Sequence, residues 1–142
     1  MERVTIHCTT ACLFTYSFFL NEQHMNMGGH MGNEMVFILA NQVRTKFFQH
    51  IGVPEFDHEH QSGTIMANAA VKYINEGLIG DKITVQVYID HISEITFDFK
   101  IRFIKNDAMD LAIVRQGILW FDYNHRKPIE LPKLLIDFCK DK

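Results

Sequence analysis

The chain has 142 residues, 47% of them hydrophobic and 22% charged, with a formal net charge of −3. That length suits one domain burying roughly two-thirds of its unfolded surface without disulfides or metal, and the composition excludes the disordered class. The fourteen basic residues are scattered, and the densest group (Lys100, Arg102 and Lys105) stands beside Asp98 and Asp107, so the footprint that neutralises a nucleic-acid duplex is missing.

Cys8, Cys12 and Cys139 are odd in number and form no CxxC pair, which points to reduced thiols in a cytoplasmic protein. Cys8 and Cys12 have no histidine or helix start placed to lower their pKa and are expected to be inert. No apolar run approaches the eighteen or so residues of a membrane span. One domain, 1–142, is expected, because no repeat, low-complexity tract or linker divides the chain.

In chain order, residues 5–20 are rich in β-branched and aromatic side chains and read as strand. Residues 33–51 change period. Val36, Leu39, Val43 and Phe47 form a helical stripe, broadened by Phe37, Ala40 and Phe48, so this helix is expected to be wrapped rather than laid on a surface. Asn33 is the expected N-cap, Glu34 suits the first turn, and Gly52 followed by Pro54 ends the helix.

Four strands follow, at about 64–75, 82–92, 94–105 and 111–123. Alternation is clearest in Ile83, Val85, Val87 and Ile89, and again in Phe97, Phe99, Ile101 and Phe103. Tyr88 and Lys100 fall on the opposite, polar faces and are expected to be solvated. Residues 64–75 and 111–122 are apolar on both faces, as in strands covered twice. Turn signals at 76–81, 91–93 and 106–110 leave connections too short for parallel crossovers, so an antiparallel meander is expected. The fold class is therefore α+β, a long antiparallel sheet curled around one central helix, with an apolar face that favours dimerisation.

The densest chemistry precedes that helix, in Gly28, Gly29, His30, Met31, Gly32 and Asn33. Three glycines permit close backbone approach, and the loop runs into a helix N-terminus whose free amides favour developing negative charge. A thioester carbonyl placed there would be polarised.

This loop, with Arg44, Phe48 and Gly52 beyond it and the tail Trp120, Phe121, Asp122 and Tyr123, resembles the hotdog-fold acyl-CoA thioesterase superfamily of the 4-hydroxybenzoyl-CoA thioesterase type, over about residues 14–132. The resemblance implies a hotdog fold, dimers or dimers of dimers with sites at the interface, and hydrolysis of acyl-CoA or acyl-carrier-protein thioesters, with CoA entering only as part of the substrate. The acid that many relatives carry upstream of the histidine falls here on His24 or Asn26, and the glutamate of the helix motif is Gln42.

The expected catalytic group is therefore His30, Asn33, Asn26 and Gln42, with Gly28, Gly29, Met31 and Gly32 contacting substrate. An imidazole titrates near working pH, whereas Gln42 can position water but cannot take its proton. Two rivals remain, a non-catalytic acyl-CoA-binding module that has lost its acid and a hotdog hydratase or dehydratase. His58, Glu59 and His60 read as a solvated turn rather than a metal site, and Met25, Met27, Met31 and Met35 as packing around an acyl tunnel or the core. Arg44 reads as a structural ion pair or carbonyl clamp, and Lys72, Lys82, Lys100 and Arg102 are candidates for the CoA phosphates.

Overall fold

The computed structural model describes residues 1–142. The helical stripe becomes α1 (Asn33–Ile51), which buries Val36, Leu39, Ala40, Val43, Phe47 and Phe48. Gly52 ends it in the left-handed region at φ 73°, donating to the carbonyls of Phe48 and Gln49. Phe37 does not join the buried stripe and stays 41% exposed. The N-cap is Gly32 rather than Asn33, because the chain is still extended at Gly32 (φ −64°, ψ 145°) and Asn33 already has helical geometry.

The strands are β1 (Phe14–Phe19), β2 (Phe56–Asp57), β3 (Ser62–Tyr73), β4 (Lys82–Asp90), β5 (Thr96–Lys105), β6 (Met109–Asp122) and β7 (Lys127–Pro128). They form one antiparallel sheet in the order β1-β4-β5-β6-β3-β2, with β7 on the end of β6. Alternation places Ile83, Val85, Val87, Phe97, Phe99, Ile101 and Phe103 on the face that curls around α1. Phe48 lies 5.9 Å from the Trp120 ring and 6.4 Å from that of Phe99. Each such buried aromatic contributes about 1.5–3 kcal/mol.

Two strand expectations are corrected. The first strand starts at Phe14, not residue 5, and the preceding arm crosses the outer sheet face, where Ile6 is buried and the His7 carbonyl accepts from Lys100 Nζ at 2.9 Å. Lys100 is thereby only 4% exposed, paired with Asp90 at 2.6 Å, and Tyr88 is buried with its hydroxyl donating to Gln86 at 2.7 Å, so neither is solvated. The second correction concerns β3. Residues 66–69 are exposed, because β2 covers its free edge only at Ser62 and Gly63 and a bulge interrupts the register between Met66 and Asn68.

One element had no counterpart in the sequence reading. The short α2 (Lys133–Lys140) follows Pro132, buries Leu135 and sets Phe138 edge-on to Phe47 at 5.8 Å. The apolar spacing of Leu135, Ile136, Phe138 and Cys139 behind a proline at the N-cap was its signal.

Candidate functional site

The loop between β1 and α1 is a tight hairpin held by its own backbone. Asn26 N donates to the His30 carbonyl at 2.8 Å, Gly32 N to that of His24 at 3.3 Å, and Met25 bridges Met31. Gly29 sits at φ 79°, where a side chain would be strained. Asn26 braces the loop from inside, its Oδ1 accepting from Gly28 N at 2.9 Å and His30 N at 3.3 Å. That oxygen is committed to the loop amides.

The segment after β3 docks against this hairpin. Met31 N donates to the Gly77 carbonyl at 2.8 Å, and a Cβ on Gly77 would lie 2.8 Å from Leu20 Cδ1 and 3.1 Å from Met31 Cβ. The close approach brings Glu76 to His30, with Oε2 2.8 Å from Nδ1 and both side chains about half exposed. Sequence reasoning missed Glu76, because it looked for the acid upstream of His30 and topology supplies one from downstream.

At the helix start, Gly32 brings no side-chain acceptor to the first-turn amides. A Cβ on Gly32 would clash with Glu34 Oε1, so the glycine lets the Glu34 carboxylate fold back over the cap. Asn33 is exposed, and its carbonyl accepts from the Tyr73 hydroxyl at 3.1 Å. Burial pushes the Tyr73 pKa up, and the nearby negative charge of Glu34 adds to the shift.

The hydrogen-bond partner of Nδ1 separates the two histidines of the hairpin. His24 Nδ1 accepts from Asn21 N at 2.9 Å, so neutral His24 carries its proton on Nε2 and presents a donor. His30 Nδ1 faces a carboxylate, so neutral His30 carries the proton on Nδ1 and leaves Nε2 as an acceptor. The free ring nitrogen is thus a hydrogen-bond donor in one imidazole and an acceptor in the other.

Gln42 lies with His24 rather than with His30. Both line a cavity of about 290 Å³ between β1, the 22–24 turn and α1, together with Tyr16, Ser17, Phe18, Phe19, Asn21, Leu39 and Lys46. Gln42 and His24, one of the two alternatives for the upstream acid, thus share one cavity that no carboxylate lines, while Asn26 lies outside it. Lys46 Nζ stands 5.1 Å from the Tyr16 ring centroid, and burial pushes the Tyr16 pKa to about 12, so its hydroxyl stays a donor.

Other candidates are engaged elsewhere. Arg44 pairs with Glu55 at 2.8 Å and donates to Gln116 Oε1 at 2.7 Å and Asn41 Oδ1 at 3.1 Å, a clamp between α1 and β6. Lys100 is buried and held by Asp90, which removes it from the phosphate candidates, while Arg102 is part-exposed against Asp110 at 2.7 Å, Lys72 is exposed on β3 and Lys82 is partly exposed beside Asp107. Asp57, Glu59 and His60 cluster, but Asp57 is occupied by the Glu59 and His60 amides and by His60 Nδ1 at 2.8 Å. Met25, Met31 and Met35 pack on the core, whereas Met27 is fully exposed. Burial raises the Cys8 and Cys139 pKa values, that of Cys139 to about 11.

The sequence model of the Thioesterase-like superfamily matches residues 21–138, which takes in the hairpin, the helix and the whole meander. The chain belongs to that superfamily. Solved structures agree on the fold. A 1,4-dihydroxy-2-naphthoyl-CoA thioesterase from Synechocystis superposes with a TM-score of 0.83 at 14% identity, covering 90% of this chain and 96% of that one. SAV2348 from Staphylococcus aureus, solved in complex with CoA, gives 0.83 at 14% identity over 99% and 87% of the two chains. The gentisyl-coenzyme A thioesterase BH1999 gives 0.75 at 15% identity over 88% and 98%. No curated protein matches the chain by sequence. No helix is long and apolar enough to cross a membrane.

Proposed function

We propose that this member of the superfamily hydrolyses acyl-CoA or acyl-carrier-protein thioesters at the N-terminus of α1, with His30 as general base. The observation that carries the reading is the His30–Glu76 pair at 2.8 Å beside a helix start that has no side-chain cap. The thioester carbonyl docks against the first-turn amides and displaces the exposed Glu34 side chain into solvent. Water held by His30 Nε2 attacks the carbonyl carbon as the imidazole takes its proton, and the amides of Asn33 and Glu34 carry the oxyanion. The C–S bond then breaks, and the CoA thiolate takes the proton back from the imidazolium. Acid and free thiol leave, and no metal or further cofactor enters the balance.

Gly28, Gly29, Met31 and Gly32 line the approach in this reading, and Asn33 steadies the water. Lys72 and Lys82 receive the CoA phosphates. The bare stretch of the β3 edge pairs with a second copy, since exposed strand edges and the exposed Phe37 and Ile38 on α1 demand cover. The CoA complex and the two CoA thioesterases among the structural neighbours support the substrate class.

Release of free thiol from a panel of short, medium and long acyl-CoAs tests the reading. Hydrolysis that falls by about a hundredfold or more in His30→Ala, with unchanged thermal unfolding, is the expected result. The carboxylate-free cavity of His24 and Gln42 favours a second reading, a module that binds acyl-CoA without turnover. Tight binding with no thiol release at any chain length would establish it in place of the first.

A further inference from the structure

The cavity lined by His24, Gln42 and Lys46 has a charge character of its own, and it adjoins the helix start through the bond from Gly32 N to the His24 carbonyl. Its polar lining includes three donors. His24 offers Nε2–H because its Nδ1 is already an acceptor, Tyr16 keeps its phenolic proton, and Lys46 brings an ammonium that no carboxylate of the chain pairs. Its apolar walls are Phe18, Phe19, Leu39 and the Tyr16 ring. A simple hydrocarbon tail offers the exposed Lys46 ammonium no partner, whereas a carboxylate placed over Tyr16 would pair it.

We infer that this cavity selects an acyl chain with a carboxylate at its far end, the ω-carboxyacyl (dicarboxylic) class of thioester. The assignment rests on the thioesterase reading for the position of the carbonyl. The thioester end lies at the start of α1, the chain runs along the helix between Leu39 and β1, and the terminal carboxylate meets Lys46 over Tyr16, with the Gln42 amide and His24 Nε2–H facing the chain. At a rise of 1.5 Å per residue, Lys46 stands about 20 Å along the axis from Asn33, and the lean of helical side chains toward the N-terminus returns its ammonium by about 5 Å. Allowing about 3 Å for the ion pair, the remaining span of about 12 Å matches an extended chain of about ten carbons. A charge-assisted bond at a half-open site distinguishes the two chain types by about tenfold.

The test compares decanoyl-CoA with its ω-carboxy counterpart sebacyl-CoA, and the six- and eight-carbon pairs alongside. The readout is the ratio of kcat/KM within each pair, which cancels any general loss from misfolding. Wild-type protein is expected to favour the ω-carboxy substrate by about tenfold at ten carbons and less at six; Lys46→Met brings the ratio toward one, and Lys46→Glu inverts it. Hydrolysis of both chains with a ratio of one in wild-type protein, or a preference untouched by Lys46→Met, overturns the assignment and leaves the thioesterase reading standing. If no thioester turns over, that reading falls instead. The same pairs are then compared by equilibrium binding, where equal dissociation constants for sebacyl-CoA and decanoyl-CoA overturn the assignment and a tenfold difference lost in Lys46→Met upholds it.

Discussion

The two polar regions of α1 are built alike and finished differently. Near its middle, Arg44, Asn41 and Gln116 form a clamp with Glu55 in which each group meets another group of the chain, and Gln116 is 1% exposed. At its start, His30 meets Glu76 through one ring nitrogen, no group of the chain bonds the other, and no side chain hydrogen-bonds the first-turn amides. Polar groups saturated by their own chain hold structure. Those left half-saturated are available to a substrate, and the price is a weaker local structure.

The largest expected effect lies in the clamp. Arg44→Ala leaves Glu55 and Gln116 without their partner in a largely buried position, which costs about 3–5 kcal/mol and lowers the unfolding midpoint in urea or heat. Thiol release per folded molecule is expected to persist. A variant that keeps its stability but loses activity would erase the distinction between the two regions.

The second effect is smaller and falls on chemistry. Glu76→Gln keeps a partner near His30 Nδ1 but no longer dictates the tautomer, so kcat is expected to fall by about tenfold to a hundredfold with KM little changed. Because both side chains are half exposed, the unfolding midpoint is expected to stay within error of wild type. Stopped-assay kinetics beside a denaturation curve separate the two outcomes, and a loss of stability without loss of kcat would make Glu76 a structural partner only.

The same contrast explains what the sequence could disclose. The curled sheet around one helix was legible, because a period of two in β4 and β5 and a period of 3.6 in α1 report which faces are buried. The hairpin was legible as a dense stretch of glycines and polar side chains ahead of a helix. Glu76 was not, since nothing local ties it to His30; the docking of Gly77 against Leu20 and Met31 does that. Periodicity also could not tell β6, flanked by β5 and β3, from β3, whose outer edge is mostly bare, because both read as apolar on two faces. Tyr88 and Lys100 were misjudged for a related reason. Their faces are polar by pattern, and only the arm ahead of β1 buries them.

The smallest effect belongs to the residue that bridges structure and chemistry inside the loop. Asn26 holds the Gly28 and His30 amides with one oxygen, so Asn26→Ala removes two local hydrogen bonds while touching neither reacting atom. Each such bond, in a solvated loop, contributes about 0.5–1 kcal/mol at most, since water replaces the lost acceptor. The expected result is a kcat/KM reduced several-fold, with thermal unfolding little changed. Asn26→Asp restores the acceptor and is expected to recover most of the loss, because an Asx-type bond needs only the side-chain oxygen. If Asn26→Asp instead remains as impaired as Asn26→Ala, the amide nitrogen is the working group. Asn26 would then belong with the open groups at the helix start, beside His30, and not with the internal braces that resemble the Arg44 clamp.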